Sequence, residues 1–158
     1  MATGFVKGYM KEILLVEDFD GDAELVQRAL DRLQVANPVR RLRDGMQALS
    51  YLVQVEQAAA IGPAVPAVLL LDLKLPGMSG FEILERIQQR PAFANVLRVV
   101  LSNLEDTHSI KRAYALGANS YLVKPARETE LSDIIRAFPG YWSFKTSGGR
   151  RIPELVSR

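Results

Sequence analysis

The sequence predicts a doubly wound α/β fold, in which a five-stranded parallel sheet is flanked by helices. Five short runs rich in Val, Ile and Leu alternate along the chain with stretches whose apolar residues recur at helical spacing. Two of these runs, residues 13–16 and 68–71, are apolar at every position, as expected for strands buried on both faces. Strict alternation of strands and helices requires crossover connections, which place neighbouring strands parallel.

The predicted strands cover residues 13–16, 39–42, 68–71, 97–101 and 120–123. Apolar residues mark the helices between them: Ala23, Val26, Leu30 and Leu33, then Ala48, Leu49 and Leu52, then Phe81, Leu84 and Ile87, then Ile110, Ala113 and Tyr114. A fifth helix, with Leu131, Ile134, Ile135 and Phe138, follows the last strand. Residues 57–66 are rich in small residues and proline, so we predict a helix end and a surface loop there.

Length and composition favour one domain and exclude several kinds of site. A chain of 158 residues, 48% of them hydrophobic, can bury a single core. We assign residues 1–10 to a tail, 11–138 to the domain and 139–158 to a C-terminal extension. The absence of cysteine excludes disulfides, thiolate metal sites and cysteine nucleophiles. Any metal must bind through oxygen or through the single histidine, His108, which we expect to be solvated.

Charge and hydropathy limit the expected partners. The 20 basic and 18 acidic residues give a net charge of only +2, which does not indicate a nucleic-acid partner. No apolar stretch approaches the roughly 20 residues that span a bilayer. The first ten residues also lack the apolar core of a signal peptide. We therefore expect a cytoplasmic protein with no nucleic-acid partner and no membrane partner.

Polar residues follow four of the predicted strands. Glu17 and Asp18 come directly after the first strand and Asp72 after the third, and Ser102 and Lys124 follow the fourth and fifth. In a doubly wound sheet, ligands bind beyond the carboxyl ends of the strands. Three carboxylates there require a cation, and an oxygen-only cluster with few ligands suits Mg²⁺ completed by phosphate oxygens. A hydroxyl and an ammonium would contact the phosphoryl oxygens, so the sequence predicts a phosphorylated substrate.

Four ordered motifs make the resemblance specific: the acidic pair after the first strand, LLLDLKLPGMSGFE, VVLSN and SYLVKP. Together they resemble the receiver domain of response regulators, whose fold is flavodoxin-like, or CheY-like. The resemblance implies that Asp72 accepts a phosphoryl group from a sensor histidine kinase, in a signalling protein rather than an enzyme. It further implies that Asp18 binds Mg²⁺ directly, Glu17 largely through water, and Lys74 through its backbone carbonyl.

The same resemblance assigns the residues that respond to the phosphoryl group. Ser102 and Lys124 are expected to hold its oxygens, and Tyr121 stands where the family has its aromatic switch residue. Asn103 follows the switch serine where a small residue is common, and Lys74 replaces side chains that are often neutral or acidic. The signal is expected to be passed on through the surface formed by the fourth strand, fourth helix and fifth strand.

Three features narrow the resemblance to the single-domain regulators that are paired with bacterial and cyanobacterial phytochromes. They are the insertion at residues 57–66, the stretch Ala23-Glu24-Leu25 after the acidic turn FDGD, and Tyr141-Trp142 after the last helix. The narrower resemblance implies a bacteriophytochrome as the kinase. We also predict a homodimer, with Tyr114, Phe138, Tyr141 and Trp142 as its candidate interface. The basic tail residues Lys145, Arg150, Arg151 and Arg158 are expected to form a solvated, flexible end.

Two alternatives stay open at this point. Asp18-Phe19-Asp20-Gly21 resembles the DxDG nucleophile motif of haloacid-dehalogenase-type phosphatases, in which Asp18 would be phosphorylated. That interpretation gives Asp72 no role, and the GDxxxD-like acidic motif that it requires does not follow Lys124. The second alternative is a receiver-like interaction module that is never phosphorylated. In either case, Asp20 and Asp22 are predicted to cap the first helix and not to belong to the site.

Overall fold

The computed structural model describes residues 11–58, 65–137, 142–147 and 150–155. Its main sheet has five parallel strands in the order β2-β1-β3-β4-β5. The strands are β1 (Ile13–Val16), β2 (Val39–Leu42), β3 (Val68–Asp72), β4 (Leu97–Ser102) and β5 (Ser120–Val123). The helices are α1 (Asp20–Arg32), α2 (Gly45–Ala58), α3 (Gly80–Gln88), α4 (Thr107–Ala115) and α5 (Glu128–Ala137).

Apolar side chains cover both faces of the sheet. Ile13 and Leu15 of β1 pack in one cluster with residues of α1 and α5, whereas Leu14 and Val16 pack in a second cluster with residues of α2 and α3. Successive side chains of a strand point to opposite faces, so an unbroken apolar run supplies both clusters. This arrangement confirms the predicted doubly wound α/β fold. Within the described ranges, no helix has the length and apolar content needed to cross a bilayer.

The predicted strands agree with the structure, with two small differences at the carboxyl ends of β3 and β4. β3 and β4 each continue one residue further than predicted, to Asp72 and Ser102, so both side chains are fixed by strand backbone. All five predicted helices are present. Tyr114 does not share the buried face predicted for α4: its side chain is 47% exposed, because its neighbour Ala113 faces the core. α2 ends at Ala58, and residues 59–64 of the predicted loop lie outside the described residues.

The expectation of a flexible tail is wrong for residues 142–147 and 150–155. They form two strands, β6 (Trp142–Ser147) and β7 (Arg150–Leu155), which pair antiparallel in a sheet of their own. The register places Ser147 opposite Arg150, so two residues, both glycine in the sequence, connect the strands. Gly-Gly between two runs of equal length is a hairpin signal that the basic composition of the tail concealed. Arg158 lies outside the described residues.

Candidate phosphoryl and metal site

Strand ends bring the predicted site residues to one edge of the main sheet. Asp72 ends the central strand β3, and Ser102 ends the adjacent β4. Glu17 follows β1 on the other side of β3, and Lys124 follows β5. Because all five strands are parallel, their carboxyl ends meet at this edge, as the sequence predicted.

Lys124 is the electrostatic centre of the site. Its Nζ lies 2.6 Å from an oxygen of Glu17, 2.9 Å from one of Asp72 and 2.9 Å from one of Asp22. The side chain is only 6% exposed. Burial lowers the pKa of Lys124, but hydrogen bonds to the three carboxylates outweigh it and raise the pKa above its ordinary value. The ammonium is therefore a permanent positive charge at neutral pH.

Glu17, Asp18 and Asp72 form a cluster of carboxylates that could hold a cation. One oxygen of each lies within 4.8 Å of the others, with Glu17 and Asp72 buried and Asp18 exposed. Burial is the main cause that raises the pKa of Glu17, and the charge of Asp72 adds to it, while Lys124 and the backbone amide of Phe19 oppose it. An all-oxygen donor set, open to solvent at Asp18, fits a divalent cation that keeps several waters.

An open cleft of about 510 Å³ lies beside this carboxylate cluster. Asp18 and Lys74 line it, together with apolar residues of the loop after β3 and with Leu104. The backbone amide of Lys74 donates to Oδ1 of Asp72 at 3.3 Å, which ties the loop after β3 to this carboxylate. Through Asp18, the cleft reaches the carboxylate cluster at the edge of the sheet.

Ser102 and Tyr121 meet on the loop that leaves β4. The fully buried Ser102 accepts a hydrogen bond from the backbone amide of Leu104 at 3.1 Å. Tyr121 donates its hydroxyl to the carbonyl oxygen of Leu104 at 2.7 Å, and burial raises the pKa of this phenol. Both side chains thus hold the backbone of Leu104. Asn103, which precedes Leu104 in the chain, is exposed.

The prediction that Asp20 and Asp22 cap the first helix is wrong. The N-cap of α1 is Phe19, which makes no side-chain cap bond, and both aspartates lie in the first turn. Asp22 contacts Lys124, and Asp20 forms ion pairs with Arg41 and Arg43 at 2.7 and 2.6 Å. Their partners lie on other elements and offer full positive charges, which attract a carboxylate more strongly than a backbone amide does.

Sequence reasoning missed Asp22 and also Arg41. Arg41 of β2 donates to the backbone carbonyls of Glu17 at 3.1 Å and Asp18 at 3.3 Å, and so holds the loop that carries both carboxylates. The one sequence signal for Asp22 was its position in the first turn of the helix that directly follows the acidic pair Glu17 and Asp18. His108 is exposed at the start of α4, as expected.

Two of the four candidate dimer residues, Tyr114 and Trp142, lie in the described part of the chain. Tyr114 is exposed on α4, and Trp142 begins β6. Phe138 and Tyr141 lie outside the described residues.

Comparison with known proteins decides the family. Residues 13–136 match the model of the response regulator receiver domain, a range that contains every strand of the main sheet. The chain belongs to this family. Receiver domains are signalling domains that act with histidine kinases, so the haloacid-dehalogenase interpretation, in which Asp18 is the nucleophile, is not favoured.

Two curated relatives of this receiver domain match along most of their length. Probable methanogenesis regulatory protein FilR2 from Methanothrix harundinacea is 37% identical over 130 residues, which cover 82% of each chain. Response regulator Rcp1 from Synechocystis sp. is 33% identical over 132 residues, which cover 84% of this chain and 88% of the relative. The resemblance to phytochrome-associated single-domain regulators is confirmed by two solved structures, RtBRR and RcpA.

Three solved structures of response regulators are similar to this chain over most of its length. Bacteriophytochrome response regulator RtBRR has a TM-score of 0.75 and 35% identity, covering 89% of this chain and 86% of its own. The phosphorylated cyanobacterial phytochrome response regulator RcpA has a TM-score of 0.67 and 37% identity, covering 84% and 94%. The Mn²⁺-bound form of Rcp1 has a TM-score of 0.66 and 33% identity, covering 83% and 93%.

Proposed function

We propose that this receiver domain accepts a phosphoryl group on Asp72, with Mg²⁺ as the cation of the site. The observation that carries the proposal is the contact of Asp72 with Lys124 at 2.9 Å, inside the carboxylate cluster of Glu17, Asp18 and Asp72. A carboxylate that only balanced the lysine would not need two further acids within 4.8 Å. A bound Mg²⁺ would neutralise these carboxylates and the charge that develops on the phosphoryl oxygens.

The transfer requires an oxygen of Asp72 to attack the phosphorus of a phosphohistidine on the partner kinase. The phosphorus–oxygen bond forms as the phosphorus–nitrogen bond breaks, and the leaving imidazole nitrogen keeps the electron pair. Asp18, Glu17 and the backbone carbonyl of Lys74 would hold the cation. The Lys124 ammonium is already aimed at Asp72 and would move its hydrogen bond to a phosphoryl oxygen, so little reorganisation is needed.

The response would begin at Ser102 and Tyr121. Attraction of the Ser102 hydroxyl to the phosphoryl oxygens would break its bond to the amide of Leu104. The loop that Tyr121 holds through the Leu104 carbonyl would then lose one of its two anchors. Asn103 and Lys74 border this region and would tune access to the phosphoryl group. A charge change at one strand end thereby alters the packing of β4, α4 and β5.

Labelling by a small phosphodonor tests the proposal. The protein is incubated with Mg²⁺ and acetyl phosphate, and the intact masses of the wild type, Asp72→Asn and Asp18→Asn are compared over time. We expect one base-labile phosphoryl group on the wild type and none on Asp72→Asn, because the amide oxygen is a poor nucleophile. Asp18→Asn should label at least tenfold more slowly, since it removes a direct ligand of the cation.

Two results would contradict this scheme. Labelling of Asp72→Asn but not of Asp18→Asn would make Asp18 the nucleophile. No labelling of any form, by acetyl phosphate or by a bacteriophytochrome kinase, would favour a receiver-like interaction module. Omission of Mg²⁺ and its replacement by Mn²⁺ give the dependence of the wild-type rate on the cation.

The kinase partner and the assembly are further parts of the proposal. We propose that the kinase is a bacteriophytochrome, which is supported by the similarity to RtBRR and RcpA. We also propose a homodimer formed through α4, β5, α5 and the segment from residue 139 onward. The exposed Tyr114 on α4 supports this surface, because a large aromatic side chain that is 47% exposed gains from burial in an interface.

The oligomeric state of the wild type and of a Tyr114 variant tests the proposed homodimer. We expect size-exclusion chromatography with light scattering to give a dimer for the wild type and to shift Tyr114→Asp towards the monomer. Gln54→Asp, which adds the same charge at an exposed position of α2, should elute like the wild type. A wild type that stays monomeric at every concentration, with and without phosphorylation, would remove the dimer from the proposal.

A further inference from the structure

The ammonium of Lys124 has one partner that the proposed function does not use. Three carboxylates surround the ammonium: those of Asp22 and Asp72 accept hydrogen bonds at 2.9 Å, and that of Glu17 forms an ion pair at 2.6 Å. Asp22 comes from the first turn of α1, far along the chain from the lysine. Its side chain is 27% exposed, whereas that of Lys124 is 6% exposed, so the contact lies at the mouth of the buried cluster.

Asp22 differs from the other two acceptors in its surroundings. Glu17 and Asp72 belong to the carboxylate cluster whose oxygens converge within 4.8 Å, and Asp22 does not. When a cation and a phosphoryl group engage the oxygens of Glu17 and Asp72, the bonds of those oxygens to Lys124 must weaken or be exchanged. The bond from Lys124 to Asp22 competes with neither event, so it can persist through the transfer.

We infer that Asp22 is a positioning residue for phosphoryl transfer, which holds the Lys124 ammonium in place while Glu17 and Asp72 exchange their bonds. The inference rests on the proposed function, in which Lys124 contacts the phosphoryl group. A lysine side chain has four rotatable bonds. Its ammonium is therefore held in one position only by the groups that accept its hydrogen bonds. One acceptor outside the reacting cluster keeps the ammonium within reach of the phosphoryl oxygens, which preserves the geometry of the reaction.

An alternative role for Asp22 is purely structural, as an acid that stabilises the N-terminus of α1 through the helix dipole. Asp20 offers the matched comparison, because it lies in the same turn and carries the same charge but contacts Arg41 and Arg43 instead of Lys124. Both variants, Asp20→Asn and Asp22→Asn, lose one negative charge from the first turn. Only the second loses a partner of the lysine.

The experiment measures initial rates of acetyl phosphate labelling at saturating Mg²⁺ for the wild type, Asp22→Asn, Asp22→Glu and Asp20→Asn. We expect Asp22→Asn to label about three- to tenfold more slowly than the wild type, as befits one lost charge-assisted hydrogen bond at the site. Asp22→Glu, which keeps the carboxylate, should recover most of the rate, and Asp20→Asn should stay within about twofold of the wild type. Thermal unfolding of each variant checks that it is folded.

A double variant separates positioning from structure. In the Lys124→Gln background the additional change Asp22→Asn should have no further effect on the labelling rate, because its partner is already gone. A wild-type rate for Asp22→Asn, an equal loss in Asp20→Asn, or no recovery in Asp22→Glu would overturn the inference. The control Asp72→Asn is run alongside: if the wild type labels and Asp72→Asn does not, the proposed function stands whatever Asp22 does.

Discussion

Gly80→Ala is expected to lower the free energy of unfolding by about 2–3 kcal/mol, the cost of inserting a methyl group where backbone already fills the space. A Cβ at Gly80, the first residue of α3, would overlap the carbonyl oxygen of Asp72 and come within 2.8 Å of the Cα of Leu73. Backbone atoms cannot rotate away as a side chain can. The overlap must therefore separate α3 from the end of β3.

The expected damage reaches the candidate site because β3 ends at Asp72. The amide of Gly80 donates to the carbonyl of Leu73 at 2.9 Å, and this bond should lengthen when the helix moves. We therefore expect Gly80→Ala to lose phosphorylation rate as well as stability. Urea unfolding followed by circular dichroism measures the first effect, and acetyl phosphate labelling of the folded fraction measures the second.

Gly21→Ala provides the matched control. Gly21 lies in the first turn of α1, as Gly80 lies in that of α3, but an added Cβ would meet only the ring of Phe19, at 2.8 Å. Phe19 is 63% exposed, so its ring can move aside into solvent, and the free energy of unfolding should change by no more than about 0.5 kcal/mol. Equal losses in the two variants would show that backbone overlap at Gly80 is not what sets the cost.

The strands could be predicted from the sequence because their apolar runs leave little choice. A four-residue run such as ILLV has apolar side chains for two opposite faces, and only a sheet covered on both sides buries them all. Parallel strands then bring their carboxyl ends to one edge, which places Asp72 beside Ser102 without knowledge of any contact. The main sheet and the position of the candidate site both follow from this reasoning.

Partner choice within the site could not be predicted in the same way. Asp22 has the spacing and residue type of a helix-capping acid, and local sequence gives no sign that the ammonium of Lys124 lies 2.9 Å from it. Arg41 likewise stands in a strand as one of two adjacent arginines, and only the neighbouring β1 loop explains its hydrogen bonds. Such contacts depend on which elements become neighbours, whereas capping depends on the next few residues.

The largest stability effect at the site itself is expected for Lys124→Met. Methionine has nearly the volume of the lysine stem but no charge, so Glu17 and Asp72 lose the ion pairs at 2.6 and 2.9 Å that now balance them. Removal of one partner of a buried ion pair leaves an uncompensated charge and costs about 3–5 kcal/mol. Urea unfolding at pH 7 in the presence of a chelator should show this loss. Lys111→Met, at an exposed position of α4, should change stability by about 0.5 kcal/mol or less.

The pH dependence of that loss identifies its cause. Burial, aided by the charge of Asp72, already raises the pKa of Glu17 above its ordinary value of 4.5, and removal of Lys124 should raise it further. A carboxyl group with a raised pKa in the folded state destabilises that state fully above the folded pKa. The penalty shrinks as pH falls towards the unfolded value, because the folded protein takes up the proton first. The deficit of Lys124→Met relative to wild type should therefore narrow from pH 7 to pH 5, and addition of Glu17→Gln should recover part of it at pH 7. A deficit that is constant with pH and insensitive to Glu17→Gln would assign the loss to packing of the lysine stem, not to unbalanced charge.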